Sequence, residues 1–237
     1  RLPGAIPAGR IIDDLVNLLD LAPTFCQAGG IQPDPGMAGR SLWPLLTSQA
    51  QGQVEAGRTW VVTGRERHVA DARDGNLPYP HRAIRTHDHL YIINFAPDRW
   101  PMGDPRGLDD PAAPAPDYAV LASDTFAAYA DLDASPTKAW MIHHRGEAAL
   151  REVYALGFGK RPAEEFYDLR ADPDQMRNLA GDPAHEATRL ALRSRLLAEL
   201  RDQRDPRVCD GDCRYERSPY TDWPCPQETA AGRLTRA

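Results

Sequence analysis

The sequence predicts a mixed α/β fold of the α+β kind, in which three or four antiparallel strands carry a C-terminal helix on one face. Two strand-like runs, His81–Thr86 and His89–Phe95, are separated by two residues, which is typical of a hairpin. Leucines recur at helical spacing among charged residues from about 183 to 201, which predicts the terminal helix. A polar segment, residues 48–57, separates residues 9–46 from the predicted strands, so we expect a fragment of a second unit before the sheet.

The N-terminal segment is expected to contain a short amphipathic helix. Pro23 would remove a backbone hydrogen bond from a helix interior, so the helix must begin close to it. We expect Asp20 to be the N-cap and Pro23 to lie in the first turn, where the missing N–H does no harm. The predicted buried face of this helix consists of Leu21, Ala22, Phe25 and Cys26. A buried strand or short helix is predicted just upstream from Leu15, Val16, Leu18 and Leu19.

We place a domain boundary in the polar stretch that follows, so that residues 1–50 form the edge of one domain and residues 55–237 form a second, smaller one. Ser135 followed by Pro136 is typical of the start of a helix. The proline-rich residues 97–116 predict a long irregular loop. Two further strands are predicted at Trp60–Thr63 and Glu165–Leu169.

Composition excludes several classes of partner. The formal net charge of -6 and the isoelectric point near 5.6 argue against a nucleic-acid partner, since phosphate binding requires a basic surface. The chain has no apolar run of about 18 residues, so a membrane-spanning helix is not expected. It begins with Arg1 and has no signal-peptide pattern. Both features suggest a chain cut from a longer protein whose targeting signal lies upstream; a processed complete domain is the alternative.

The four cysteines are concentrated near the C-terminus, with Cys209, Cys213 and Cys225 in the tail and Cys26 far upstream. A zinc site would need four ligands in closely spaced pairs, and no histidine lies near these cysteines. The spacing therefore favours a disulfide in the tail over a metal site.

Three groups of residues, in the same order along the chain, resemble formylglycine-dependent sulfatases of the alkaline phosphatase superfamily. The first group resembles the segment after the catalytic core of these enzymes: Asp20–Thr24, Ala28–Ile31 and Gly39–Leu42. The second resembles their C-terminal signature: Glu165–Leu169, Asp172 with Pro173, and Asn178–Ala180. The third, Asp205–Cys209, is similar to the tail of heparan N-sulfatases. Together they span nearly the whole chain.

This resemblance implies a large mixed-sheet catalytic domain related to alkaline phosphatase, followed by a small antiparallel subdomain. It implies hydrolysis of sulfate esters or sulfamates of sugars, glycosaminoglycans among them, and an extracytoplasmic location, either periplasmic or secreted. It also favours a disulfide between Cys209 and Cys225, with Cys213 unpaired or competing as the partner.

The catalytic machinery implied by the resemblance is a formylglycine, made within a C/S-x-P-S/T-R motif, and a calcium ion. That motif does not occur in this sequence. We therefore predict no catalytic residue and no metal ligand within the chain, and we expect the isolated chain to be inactive. Its partners would be the catalytic domain on the N-terminal side and a sulfated sugar.

A substrate-binding rim is the one functional element predicted within the chain. Residues 64–68 follow the strand at Trp60 directly, where a loop can direct charged side chains toward a neighbouring active site. Among related sugar sulfatases a histidine of this loop approaches the substrate, so His68 and Arg67 are the predicted contacts with an anionic sugar. An ordinary solvated charge run is the alternative.

Other polar clusters have simpler explanations. We interpret His87, Asp88 and His89 as a hairpin turn, because alternate residues there point to opposite faces. The acidic pair Asp131 and Asp133 is predicted to form a turn, because the remaining ligands of a calcium loop are missing.

Two other functions are compatible with these patterns. One is a phosphodiesterase or phosphonate hydrolase of the same superfamily. The other, from a different functional class, is a non-catalytic module that binds anionic glycans through the His68 loop and the loop that carries Trp100.

Overall fold

The computed structural model describes residues 2–217 and, as backbone, two short segments at 227–228 and 234–235. Its centre is a four-stranded antiparallel sheet of order β1-β2-β3-β4. The strands are β1 (Trp60–Arg65), β2 (His81–Thr86), β3 (His89–Asn94) and β4 (Glu164–Asp168). Two short strands pair separately, β5 (Gln227–Glu228) and β6 (Leu234–Thr235). The predicted hairpin and the two further predicted strands are confirmed.

Seven helices surround the sheet, which confirms the mixed α/β class for the described residues. They are α1 (Leu21–Ala28), α2 (Trp43–Thr47), α3 (Tyr118–Ser123), α4 (Pro136–His143), α5 (Arg151–Phe158), α6 (Glu186–Asp202) and α7 (Pro206–Cys209). Ser135 caps α4 by accepting a hydrogen bond from the Lys138 N–H, as its sequence predicts. No described helix has the length and apolar character needed to cross a bilayer.

The main core lies between the sheet and α6. Ile84, Tyr91 and Phe166 occupy register-paired positions on three neighbouring strands and point to the same face. Leu196 and Leu200, one turn apart on α6, pack against them, and all five are fully buried. Burial of each such side chain contributes roughly 1.5–3 kcal/mol, so this contact anchors α6 to the sheet.

A second core lies beneath the proline-rich loop. Leu121 of α3, Ile142 of α4 and Phe158 of α5 pack with Tyr129. The buried Lys138 donates from its ammonium to the carbonyls of Thr125, Tyr129 and Leu132 at 2.8–3.2 Å. Residues 97–117 contain no regular element, as predicted, but this core holds them in place. The sequence pattern did not predict helices α2, α3, α5 and α7.

Asp20 occupies the N-cap position of α1, as predicted, but its side chain makes no capping hydrogen bond, so the predicted role of its carboxylate is wrong. Asp20 lies in helical conformation and its carboxylate faces inward, where it accepts hydrogen bonds from three donors. These are the N–H of Asn17 at 3.1 Å, the N–H of Arg40 at 2.8 Å and Nη1 of Arg58 at 2.9 Å. The side chains of Asp20 and Arg58 are only 6% and 1% exposed, so they form a buried ion pair.

The contacts around this ion pair explain the residue types in two parts of the first sequence motif, Asp20–Thr24 and Gly39–Leu42. Arg58 also donates to the carbonyls of Arg40 and Ser41. The hydroxyl of Thr24 donates to the carbonyl of Asp20 and accepts a hydrogen bond from the N–H of Leu42. A Cβ at Gly39 would lie 2.1 Å from the carbonyl oxygen of Leu19, so only glycine fits where the two segments cross. The motif is therefore a structural clamp that joins the start of α1 to residues 39–42.

The predicted buried face of α1 is also wrong. Phe25 is 67% exposed, Leu21 and Ala22 are exposed and Cys26 is half-buried, whereas Pro23 and Thr24 are buried. The physical reason is the clamp, which turns the Thr24 side of the helix inward. The upstream apolar run is likewise not buried, and Leu18 in it is 83% exposed. We call the exposed set the N-terminal apolar surface: Ile11, Val16, Leu18, Leu19, Leu21, Phe25, Ile31 and Met37.

The predicted disulfide is not tested by the described residues. Among the described residues no disulfide joins Cys209 to Cys213 or Cys26, and Cys225 lies outside the described residues. The pairing of Cys209 with Cys225 stays a prediction.

Substitution of Asp20 tests the structural role of the clamp. We expect Asp20→Ala to lower the free energy of unfolding by about 3 kcal/mol, because it removes the buried charge partner of Arg58 and leaves only the partly exposed Glu55, 2.8 Å from Nε. The measurement is chemical denaturation of the purified chain. Asp13→Asn, at an exposed carboxylate nearby, is the matched control and should change stability by less than about 0.5 kcal/mol. Equal stability of the two variants would contradict the assignment.

Candidate functional site

The predicted substrate contacts lie on the loop that follows β1, here called the rim loop (residues 66–80). Arg67 lies on its inner side and is only 8% exposed. Its Nε donates to the carbonyl of Asn76 at 2.7 Å, and its Nη2 donates to the carbonyl of Tyr215 at 3.0 Å. Arg67 therefore fixes the path of the rim loop from within. Its predicted contact with a sugar is not tested and stays a prediction.

His68 lies on the outer side of the same loop, and its side chain is 52% exposed. Its Nδ1 lies 3.9 Å from a carboxylate oxygen of Asp131, whose side chain is 1% exposed. Neighbouring residues in sequence thus have opposite orientations, with Arg67 inside and His68 available to a ligand. The predicted contact of His68 with a sugar, like that of Arg67, is not tested by the structure and stays a prediction.

A buried ion pair supports the rim loop from below. Arg73 Nη2 lies 2.5 Å from Asp131 Oδ2, and both side chains are buried. Arg73 also donates to the carbonyls of Trp100 and Pro101 at 2.7 and 2.8 Å. Burial lowers the pKa of Arg73, and the nearby carboxylate of Asp131 opposes that shift. The pair joins the rim loop to the proline-rich loop.

Gly103 allows the two loops to approach closely. It has a φ of +92°, and a Cβ there would lie 2.7 Å from Ala130 N and 2.9 Å from Ala72 O. The backbone around it is paired, since Asp104 N donates to Ala72 O at 2.8 Å and Asp131 N donates to Met102 O at 3.0 Å. A side chain at residue 103 would therefore separate the rim loop from Asp131.

A chain of alternating charges, here called the ion network, ties the C-terminal residues to the rim loop. Arg82 contacts Asp205 at 2.6 Å and Glu66 at 2.7 Å. Arg207 contacts Glu66 at 2.6 Å and Glu216 at 2.5 Å. Glu216 in turn lies 2.8 Å from Nη2 of Arg99. The Asp205–Cys209 motif thus has a structural explanation, because its aspartate and arginine both serve this network.

The loop of Trp100 offers little free aromatic surface. The ring packs edge-on against Tyr129 with centroids 6.2 Å apart, and the ammonium of Lys160 lies 5.2 Å from its centroid. Two clefts of about 240 and 280 Å³ occur elsewhere, one beside Asp205 and one between Asp20 and Trp60. Neither of these two clefts is lined by His68.

The predicted hairpin turn between the two central strands is confirmed. Residues 87 and 88 form the turn between β2 and β3, and Asp88 lies 3.8 Å from Arg170 rather than facing a shared ligand site. Within residues 2–217 there is no cluster of three or more histidine, cysteine, aspartate or glutamate side chains arranged to hold a metal ion.

The support of the site by Arg73 and Asp131 was not predicted from the sequence. The pattern around Asp131 indicates only a turn, and Arg73 lies in a polar loop without any periodic pattern. Since they are 58 residues apart and meet only through the fold, neither residue carries a local signal for their pairing.

Comparison with known proteins identifies sulfatases as relatives, which confirms the resemblance drawn from the sequence motifs. No protein-family model matches the chain. Two ulvan-active sulfatases of Formosa agariphila are 23% and 22% identical over 197 and 205 residues, or 83% and 86% of this chain. An extracellular sulfatase SULF-1 homolog of Drosophila melanogaster is 45% identical over 49 residues, which cover 21% of this chain and 4% of that protein.

A solved structure shows that the fold is shared. A protein in complex with its substrate, D-glucosamine-2-N,6-O-disulfate, matches 90% of this chain with a TM-score of 0.51 and 18% identity. This chain covers 28% of that protein, and it spans only 27% and 32% of the two Formosa sulfatases. The chain therefore corresponds to less than a third of the proteins that it resembles over most of its own length.

His81 gives the fold a measurable pH dependence. Its side chain lies on the sheet face opposite α6, and burial, with Arg65 and Arg82 nearby, lowers its pKa to about 4. In the unfolded chain the pKa of His81 has its ordinary value of about 6.5, so the unfolded state binds the proton more readily than the folded state. The free energy of unfolding is therefore highest above pH 6.5 and declines as the pH falls toward 4. We expect the free energy of unfolding to fall by about 3 kcal/mol across this pH range.

Denaturation of the chain at a series of pH values between 4 and 7 measures this slope. His81→Asn removes the titrating group and should flatten the slope, whereas His87→Asn, at the exposed hairpin turn, should leave it unchanged. Identical slopes in all three proteins would show that His81 is not the group responsible.

Proposed function

We propose that this chain is the C-terminal part of a sulfatase that hydrolyses sulfate esters or sulfamates of sugars, and that residues outside the chain perform the chemistry. One observation carries the proposal: sulfatases match more than four-fifths of the chain, while the chain spans less than a third of their length. The sequence motifs support the same assignment independently, because they occur in the family's order.

The N-terminal apolar surface supports an adjoining domain. All eight members lie within residues 11–37 and are exposed. Exposed apolar side chains that share one segment of the chain suit an interface with another domain. The Asp20–Arg58 ion pair holds these residues outward, so a domain that packed on them would meet a rigid surface.

Cleavage of a sulfate ester needs a nucleophile at sulfur, cations that neutralise the sulfate oxygens, and an acid for the leaving group. We assign a formylglycine nucleophile and a calcium ion to the upstream domain, in agreement with the resemblance. A glycosaminoglycan is the substrate class that the similarity to heparan N-sulfatases favours. The name of the Drosophila relative supports an extracellular location.

The role of this chain would be to complete the substrate-binding surface. His68 is an exposed imidazole on a loop that is fixed by Arg67 on its inner side and by Arg73 and Asp131 below. Such a group binds a polar sugar substituent without large reorganisation, because the loop is already in place.

Two proteins test the proposal: the long protein, which includes the upstream domain, and this chain alone. The protein with its upstream domain should release sulfate from an aryl sulfate and from D-glucosamine-2-N,6-O-disulfate, while this chain alone should show no turnover. Turnover by this chain alone would overturn the assignment of the chemistry to other residues. Hydrolysis of an aryl phosphodiester in preference to the sulfate would favour the phosphodiesterase alternative, and glycan binding without turnover by either protein would favour the binding module.

Substitution of His68 in the long protein tests whether the rim loop contacts the sugar substrate. We expect His68→Ala to lower kcat/KM for a sulfated sugar by about 10- to 100-fold, the effect of losing one hydrogen bond to a charged group. His68→Gln should restore part of it, because its amide reaches the position of Nε2. The small aryl sulfate should be less affected, since it lacks the sugar. The exposed His87→Ala is the control, and equal kinetics in it and in His68→Ala would exclude the contact.

A further inference from the structure

We infer that Asp131 is a positioning residue that sets the tautomer and orientation of His68, so that Nε2 of His68 is the atom presented to a bound sugar. The part that concerns the sugar rests on the proposed function, whereas the tautomer of His68 is a property of this chain alone.

The carboxylate of Asp131 is held so that one oxygen faces His68. Oδ2 is paired with Arg73 at 2.5 Å, and Oδ1 accepts a hydrogen bond from the N–H of Val69 at 3.1 Å. The same Oδ1 lies 3.9 Å from Nδ1 of His68. Because both the carboxylate and its guanidinium partner are buried, Asp131 has no freedom to turn away from this position.

Nδ1 is the ring nitrogen of His68 that lies beside Asp131, which leaves Nε2 for a ligand. A carboxylate only accepts hydrogen bonds, so Oδ1 of Asp131 favours a proton on Nδ1. The separation of 3.9 Å exceeds a hydrogen-bond distance, but a small rotation of the half-exposed ring closes it. The partner of one ring nitrogen determines the state of the other, so Nε2 becomes the ligand-facing atom.

This arrangement has a specific consequence for recognition. In the neutral ring Nε2 carries a lone pair and accepts a hydrogen bond, so it suits a sugar hydroxyl. In the protonated ring Nε2 carries a proton and donates, so it suits a sulfate oxygen. In both cases Asp131 keeps Nδ1 occupied, and the contact is made through Nε2. A histidine without this carboxylate would favour the opposite neutral tautomer, since an isolated neutral imidazole carries its proton mainly on Nε2.

The backbone around Asp131 provides the support for this role. Asp131 N donates to Met102 O at 3.0 Å, and Gly103 lets residue 131 approach Ala72 on the rim loop. The position of Asp131 beside the rim loop is therefore fixed on both sides, by the rim loop through Val69 and by the proline-rich loop through Met102.

Nitrogen-15 NMR of the histidine ring in this chain tests the tautomer, because protonated and unprotonated ring nitrogens differ strongly in chemical shift. Under conditions where His68 is neutral, we expect its Nδ1 to be protonated and its Nε2 unprotonated. Asp131→Asn should shift the population toward the Nε2–H tautomer. Asp133→Asn, at an exposed carboxylate two residues away, makes the same change in charge and should have no effect. The side-chain amide introduced by Asp131→Asn can still accept a hydrogen bond from Arg73, so the fold should be retained.

If Asp131→Asn fails to fold, the spectrum of the wild-type chain still tests which ring nitrogen of neutral His68 carries the proton. A neutral His68 that carries its proton on Nε2 in the wild-type chain would overturn the inference, as would identical ring shifts in the Asp131→Asn and Asp133→Asn variants.

Kinetics of the long protein test the consequence for the sugar. With D-glucosamine-2-N,6-O-disulfate, Asp131→Asn should raise KM about as much as His68→Gln does and change kcat less. The double variant should add little to either one, because both changes act on the same contact. Additive effects would mean that Asp131 acts through the fold rather than through His68. If His68 variants leave the kinetics unchanged while the tautomer depends on Asp131, the proposed role of His68 fails and the positioning by Asp131 stands.

Discussion

The ion pair between Asp20 and Arg58 is the interaction on which the arrangement of the N-terminal segment depends. Two buried opposite charges stabilise a fold only when the rest of their hydrogen-bonding capacity is satisfied. Here Asp20 accepts from two backbone N–H groups as well, and Arg58 donates to two carbonyls in addition. Asn17 then joins the segment to the sheet through its hydrogen bond to Val62 O. The apolar side chains that remain face outward as a consequence.

Arginine plays the same part at the other end of the molecule. Arg73 organises two long loops by binding one buried carboxylate and two carbonyls, and Arg207 connects the rim loop to the C-terminal residues through Glu66 and Glu216. The planar guanidinium suits this task because its five donors bind several acceptors at fixed angles. The rim loop is thus held largely by ion pairs, and His68 is one of its exposed side chains.

The sequence predicted the elements whose signals are local. The β2–β3 hairpin, β4 and α6 follow from side-chain periodicity, and the cap of α4 follows from Ser135 and Pro136. Predictions failed where long-range contacts override a local pattern: the carboxylate of Asp20 binds Arg58, 38 residues away, instead of capping α1, and Phe25 is exposed although it lies on the apolar stripe. Among the site residues, His68 could be proposed from its place after a strand, but its relation to Asp131 required the fold.

The proposed function places the chemistry in residues upstream of this chain. The decisive measurement is the coding sequence on the 5′ side of Arg1, followed by mass spectrometry of the encoded protein. We expect an open reading frame that continues upstream and contains a C/S-x-P-S/T-R motif, whose first residue is converted to formylglycine. A start codon immediately before Arg1, with no such motif in the frame, would be incompatible with the proposal and leave an independent glycan-binding module as the better explanation.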